Sequence, residues 1–166
     1  MDFFSHVTAG WVLSERLQLT RKEKKFLIIG SIFPDVDIFI GLLLYLFVDH
    51  DLGRNFHREI MHTPFFGLIF GIILVLAIKN ANKKQIFLCG FIGVVLHCLL
   101  DQIVSFSFKY PKLLYPLSNA TLELNQIGMW PLIIVNLLTY LVVWISAFKL
   151  YKATSKTPIN IFRKEV

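Results

Sequence analysis

The chain of 166 residues is 55% hydrophobic and 17% charged, and its mean hydropathy is +0.63. Soluble domains are usually ~45–50% apolar and ~25% charged, so this composition excludes an ordinary soluble domain and indicates a membrane protein with about one domain. The net charge of +6 arises from short basic runs beside apolar segments, as in cytoplasmic loops. We therefore expect the lipid bilayer as a partner and no nucleic acid.

The apolar segments predict an all-α integral membrane bundle. Residues 2–17 form a short N-terminal amphipathic helix, because a transmembrane helix needs ~20 residues. About four transmembrane segments follow. Residues 1–150 are predicted to form one membrane-embedded domain, and 151–166 a polar cytoplasmic tail with little fixed structure, beginning near Lys149. The predicted spans are 26–48, 63–78, 86–104 and 128–148.

The distribution of Lys and Arg predicts the topology. Five lie before residue 26, three in the turn after 78 and five from 149 onward, against two in each of the other connections. The positive-inside rule places the richer segments in the cytoplasm. The protein is then a multi-pass protein of the inner membrane, with basic N- and C-terminal segments in the cytoplasm. The loop before residue 63 and the connection 105–127 lie outside, and the connection is predicted to lie at the interface.

The first predicted span is interrupted by Pro34, Asp35 and Asp37. Proline ends or kinks a helix, and residues i and i+2 do not share a face of a regular helix. A break at Pro34 would let both aspartates point into one site. It would also expose helix-end amides, which favour carboxylates. The alternative is that the two aspartates only cap a broken helix.

The third span contains GFIGVVLHCLLD, residues 90–101. His97 and Asp101 are separated by one helical turn and share a face, and Gly90 and Gly93 beside them allow neighbouring helices to come close. An uncompensated aspartate at the bilayer centre costs about 2.5–3.5 kcal/mol, so this pair needs a partner. It is either a structural hydrogen-bonded pair or part of a metal site.

Imidazole and carboxylate groups in or beside the apolar segments suit a shared divalent metal. Mixed His and Asp ligands favour zinc, with manganese or iron as alternatives, and seven groups suffice for one to three ions. For His6 alone, a packed core histidine is nearly as good an interpretation. The candidate ligands are His6, Asp35, Asp37, His57, His62, His97 and Asp101.

Three residues are candidates for catalysis. Asp35 or Asp37 would act as general base. Arg58 would hold a phosphate, for which a planar guanidinium is well suited, or would pair with a surface carboxylate. His50 lies in a polar loop and is predicted to be solvated.

Taken in order, these motifs resemble the YdjM-like family of membrane-bound metal-dependent hydrolases, also described as LexA-binding inner-membrane-associated hydrolases. Two departures occur: Pro64 follows His62-Thr63 where the family often has serine, and Tyr115 stands where tryptophan often precedes Pro-Leu. The motifs are His6, GSIFPDVD at 30–37, HREIMHT at 57–63, HCLLD at 97–101 and YPL at 115–117.

The resemblance extends distantly to zinc-dependent phospholipase C and P1-type nucleases, which are helical enzymes that hydrolyse phosphoesters with a zinc cluster. It implies that Asp35 or Asp37, His62, His97 and Asp101 are the best metal ligands. His6 and His57 come next.

The predicted function is metal-dependent hydrolysis of a phosphoester, most simply in a membrane lipid, through a metal-activated water. One alternative is a membrane metal or proton transporter, whose ligands would be spread along the membrane normal. Another is a non-enzymatic membrane adaptor that binds a regulatory protein and uses its His and Asp residues structurally.

Overall fold

The computed structural model describes residues 1–56, 61–79, 82–104, 114–118, 120 and 129–163. All the secondary structure in these residues is helical. Thr20 and Glu23 form a capping box at the start of α2. Thr63 caps α5 and Pro64 is its first residue, and both residue types are common at these positions of a helix. The helices are α1 (Phe3–Arg16), α2 (Arg21–Ile32), α3 (Asp37–Phe47), α4 (His50–Phe56), α5 (Pro64–Ala77), α6 (Lys83–Ile103), α7 (Met129–Thr154) and α8 (Pro158–Phe162).

Within the described residues, three helical stretches are long and apolar enough to cross a membrane: Arg21–Phe47, Lys83–Ile103 and Met129–Thr154. The fourth apolar helix, α5, has 14 residues, so its length is ~21 Å at 1.5 Å per residue, less than the ~30 Å hydrocarbon core. The all-α membrane bundle is therefore confirmed. It has three candidate spans and one shorter apolar helix where the sequence predicted about four spans.

The predicted break at Pro34 is confirmed. Between α2 and α3 the chain forms one 3₁₀ turn, Phe33–Val36, with Pro34 in its first turn. Proline fits there because its missing N–H needs no partner at a helix start. The turn separates α2 from α3 and puts Asp35 and Asp37 at the start of new helical segments.

The backbones of α2 and α6 touch through glycine. A Cβ atom added at Gly30 would lie 2.5 Å from the Gly90 carbonyl oxygen and 3.2 Å from the Gly93 Cα atom. Any side chain at Gly30 would thus push the two helices apart. This confirms the predicted role of the glycines beside His97, because they let α6 come close to the broken span.

Two further contacts complete the bundle around the site. The Ser31 hydroxyl donates to the His6 carbonyl oxygen at 3.0 Å and so ties α1 to α2. Gly67 and Gly71 of α5 face α6, where added Cβ atoms would meet the side chains of Val94 and Phe87. The elements that carry the candidate ligands are therefore packed against one another.

The C-terminal segment is ordered, so the expectation of little fixed structure from Lys149 onward is wrong for the described residues 149–163. Helix α7 continues to Thr154, and α8 packs Ile161, 7% exposed, against Trp11 and Ala147. Helix α8 has five residues, which is too few for its apolar side chains to show a periodic pattern in the sequence. The domain boundary near 150 and the cytoplasmic location of this segment stay predictions.

Candidate metal centre

Four of the predicted ligands converge. Asp35, His62, His97 and Asp101 each offer one ligand atom, and these four atoms lie within 4.8 Å of one another. Asp35 comes from the 3₁₀ turn, His62 from the residue just before the Thr63 cap of α5, and His97 and Asp101 from α6. The set therefore joins three elements that are remote in sequence.

The spacing within this set fits a metal ion. His62 Nε2 lies 3.7 Å from Asp35 Oδ1 and 3.5 Å from Asp101 Oδ2. His97 Nε2 lies 3.6 Å and 3.7 Å from the same two oxygens. These separations exceed the usual 2.7–3.2 Å of a hydrogen bond. They are close to the edge of about 3.3–3.4 Å expected for a tetrahedron of ligands ~2.0–2.1 Å from zinc.

The orientation of His97 is set by a backbone carbonyl. Its Nδ1–H donates to the Ser31 carbonyl oxygen at 2.9 Å, so the Nε2 lone pair faces the ligand set. His97 is 0% exposed, and its Nε2 atom has no hydrogen-bond partner within the described part of the chain. Histidine ligands to metals commonly donate their other ring nitrogen in this way. A buried lone pair without a donor is the observation that best fits a cation.

His62 is oriented by a carboxylate. Its Nδ1 atom lies 3.1 Å from Asp37 Oδ2, and both side chains are almost fully buried. A proton on Nδ1 leaves Nε2 to face the ligand set. Burial opposes the charged form, but the carboxylates of Asp35 and Asp37 prevail and raise the pKa of His62 above its ordinary value. Asp37, a predicted ligand, therefore lies outside the four-ligand set and against one of its members.

His6 also lies behind the set. Its Nε2–H donates to Asp101 Oδ1 at 3.1 Å, and its ring stacks on His97 with centroids 3.9 Å apart. The α-amino group of Met1 contacts the same carboxylate oxygen. One oxygen of Asp101 is thus held by His6 of α1 and by the Met1 amino group, while the other faces His62 and His97.

His57 and Arg58 fall outside the described residues, as does most of the connection 105–127, so their part in the cluster stays a prediction. His50 is exposed, as predicted for a solvated histidine, but it is the first residue of α4 and does not lie in a loop, and its ring stacks on Tyr45. Sequence reasoning missed two partners, the Met1 amino group and the Ser31 carbonyl, because backbone groups carry no residue-type signal.

A model of the YdjM inner membrane protein family matches residues 1–161. The chain belongs to the YdjM inner membrane protein family. No curated protein and no solved structure shows significant similarity to it. The predicted family is thus confirmed, and the family description agrees with an inner-membrane location. The topology and the distant similarity to phospholipase C stay predictions.

In this YdjM family member, the ligand set opens onto a cavity of about 510 Å³. Asp35 and Asp101 line the cavity, and Asp35 is the more exposed, at 14% of its side chain. The rest of the lining is largely apolar and includes Phe3, Ile38 and Phe39, which are 49%, 49% and 68% exposed. The cavity therefore connects two carboxylates of the candidate metal centre with an apolar outer surface.

Proposed function

We propose that this YdjM family protein is a membrane-bound, metal-dependent hydrolase that acts on a phosphoester of a membrane lipid. One observation carries the proposal: a buried set of two histidines and two aspartates opens onto a cavity with an apolar mouth. When bound, a divalent ion supplies Lewis-acid stabilisation of phosphoryl charge and lowers the pKa of water to ~7. Zinc suits the donor set best, with manganese or iron as alternatives.

The residues around the set would hold its geometry during turnover. Asp37 keeps the Nε2 atom of His62 directed inward, and the Ser31 carbonyl does the same for His97. Rigid ligands of this kind reduce the reorganisation needed when charge develops in the transition state. The four ligands would accommodate one ion. Metal quantification would test the predicted range of one to three ions per chain.

Asp35 is the better candidate for the general base. It lines the cavity and is partly exposed, whereas Asp37 is 1% exposed and faces His62. A carboxylate oxygen of Asp35 that is not directed to the metal would accept the proton of a water attacking phosphorus. Arg58 remains the proposed phosphate-holding residue on sequence grounds alone.

The apolar mouth supports a lipid substrate. Phe3, Ile38 and Phe39 are exposed, and Ile38 and Phe39 belong to the interrupted helical stretch Arg21–Phe47, which is long and apolar enough to cross the membrane. A phosphoester headgroup would reach Asp35 and Asp101 while an acyl chain lies along these side chains. Entry would then be lateral, from the bilayer.

The close grouping of the four candidate ligands supports hydrolysis rather than transport. A pathway for ions or protons would spread its groups along the membrane normal, but the four ligand atoms lie within 4.8 Å. An adaptor with structural His and Asp residues would bind no stoichiometric metal. It would also lose no stability on treatment with a chelator.

The deciding experiment is metal quantification on purified wild type beside Asp101→Ala, with Asp49→Ala as a matched control. Asp49 is an exposed aspartate outside the set. We expect at least one ion per chain in the wild type and the control, and its loss in Asp101→Ala. Full metal content in Asp101→Ala would show that the site is misplaced. The metal-loaded protein should then cleave at least one member of a phosphodiester and phospholipid panel, and Asp35→Asn should abolish that cleavage.

A further inference from the structure

A second, basic pocket lies where α1 ends, α2 begins and α8 follows α7. Its volume is about 320 Å³, and four cationic side chains line it with one carboxylate. Lys24 Nζ pairs with that carboxylate, Glu15 Oε2, at 2.6 Å. Among the described residues that line the pocket, cationic side chains outnumber the one carboxylate, and Lys156 and Arg163 are two of these cations.

This pocket lies at the level of a membrane surface. Arg21 is the first residue of one candidate span, and Thr154 is the last residue of another. Lys156 and Arg163 lie in the segment that follows Thr154. The positive-inside rule predicts that this face is cytoplasmic. Cations at the ends of spans lie at the depth of lipid phosphates.

Helix α8 is fixed beside the pocket by Arg21. The guanidinium donates through Nε to the Ile161 carbonyl oxygen at 3.1 Å and through Nη2 to the Asn160 carbonyl oxygen at 3.4 Å. Ile161 is buried, whereas Ile159 and Phe162 are 69% and 45% exposed. A short helix with exposed apolar side chains beside a basic pocket is typical of a membrane interface.

The segment that follows Lys156 also lines an apolar crevice of about 240 Å³. Trp144 and Phe148 of α7 line it together with Trp11 and Pro158. Pro158 is two residues from Lys156 of the basic pocket. Trp11 is 2% exposed, and its indole N–H has no hydrogen-bond partner among the described residues. A buried donor in an apolar crevice fits an ester oxygen of a lipid.

We infer that the basic pocket and the apolar crevice together bind one anionic phospholipid. Its phosphate lies between Lys156 and Arg163, and an acyl chain occupies the crevice. Charge complementarity selects the headgroup, and the adjoining crevice favours a lipid over a free phosphate ion. The residues of this lipid site are not those of the candidate metal centre, so the inference does not depend on hydrolysis.

The test uses the full chain in nanodiscs of phosphatidylcholine, with or without phosphatidylglycerol. Retained lipid is counted by native mass spectrometry, and the thermal midpoint is measured in both compositions. We expect phosphatidylglycerol to be retained and to raise the thermal midpoint. The double variant Lys156→Gln/Arg163→Gln should bind it about thirtyfold more weakly, which is about 2 kcal/mol at 1.4 kcal/mol per tenfold and is the size expected for two cations near a membrane surface.

The matched control is Lys83→Gln/Lys84→Gln. It removes the same charge from exposed positions of α6 that line neither the pocket nor the crevice. An equal loss of binding in the control would mean that only general surface charge matters, which overturns the site. Equal stabilisation by inorganic phosphate or glycerol phosphate would overturn the lipid as occupant. Both double variants change exposed residues and should keep the wild-type midpoint in phosphatidylcholine.

Discussion

The Nδ1 atom of His62 lies 3.1 Å from Oδ2 of Asp37, although both residues were predicted as metal ligands. The pairing makes Asp37 a positioning residue that directs Nε2 of His62 toward the other three ligands. A carboxylate behind a metal-bound histidine tunes affinity without touching the metal. The two aspartates of the broken span therefore have different tasks, since Asp35 faces the centre and Asp37 holds the ring.

Asp37→Asn should weaken metal binding without abolishing it. Loss of a carboxylate behind a ligating histidine typically costs about 10–100-fold in metal affinity. Affinity would be measured by competition with a chelator of known affinity, with Asp49→Asn as the control. Unchanged affinity would contradict the positioning role, and complete loss at saturating metal would make Asp37 a direct ligand.

His6→Phe should reduce metal content less than Asp101→Ala does. Phenylalanine can preserve the stacking on His97 but cannot donate to Asp101 Oδ1, so the ligand set loses support rather than a member. Metal per chain would be counted by mass spectrometry of the dissolved protein. Equal loss in the two variants would mean that His6 itself ligates an ion.

Gly93→Ala should separate α2 from α6 and disturb the site. The new Cβ atom would lie 2.8 Å from the Ser31 backbone nitrogen, and overpacking of this kind typically costs about 1–3 kcal/mol. We expect a lower thermal midpoint together with reduced metal affinity, because Ser31 orients His97. Gly67→Ala is the control. Its Cβ atom would meet side-chain atoms of Phe91 and Val94, which can adjust more easily than a backbone, so its effects should be smaller.

The first turn of α1 should become less stable at acidic pH. Burial of Asp2 works against its charged form, but hydrogen bonds from the hydroxyl and backbone N–H of Ser5 prevail and lower the pKa of this carboxylate from its usual 3.8. Because the pKa of Asp2 is lower in the folded protein than in the unfolded chain, the stabilisation by its carboxylate is fully present above the unfolded pKa. It is lost as the pH falls through the folded pKa.

Hydrogen exchange at Ser5 and His6, followed as the pH is lowered below about 4, should show faster opening of the first turn of α1 in the wild type. Asp2→Asn keeps a capping side chain but no titrating group, so its first turn should show no such pH dependence. An identical pH dependence in both proteins would assign the effect to another group.

The sequence was sufficient to predict the break at Pro34 and to include the four converging residues among seven candidate ligands, because proline and charged groups in apolar segments leave strong signals. It could not distinguish Asp35 from Asp37, since their directions depend on how the 3₁₀ turn rotates between α2 and α3. The segment 63–78 was predicted as a span because it is largely apolar, but α5 has 14 residues, fewer than the ~20 that a span needs. The docking of Ile161 depends on Trp11 and Ala147, which are remote in sequence.

The glycine contact between α2 and α6 has a consequence for biogenesis. Asp35 leaves the ribosome well before His97 and Asp101, and the two halves of the ligand set meet only where Gly30 lies against Gly90. The centre therefore cannot form until α6 has entered the bilayer and packed against α2. An ion that binds this candidate centre would therefore be acquired late in assembly, and it would lock together segments that were inserted one after another.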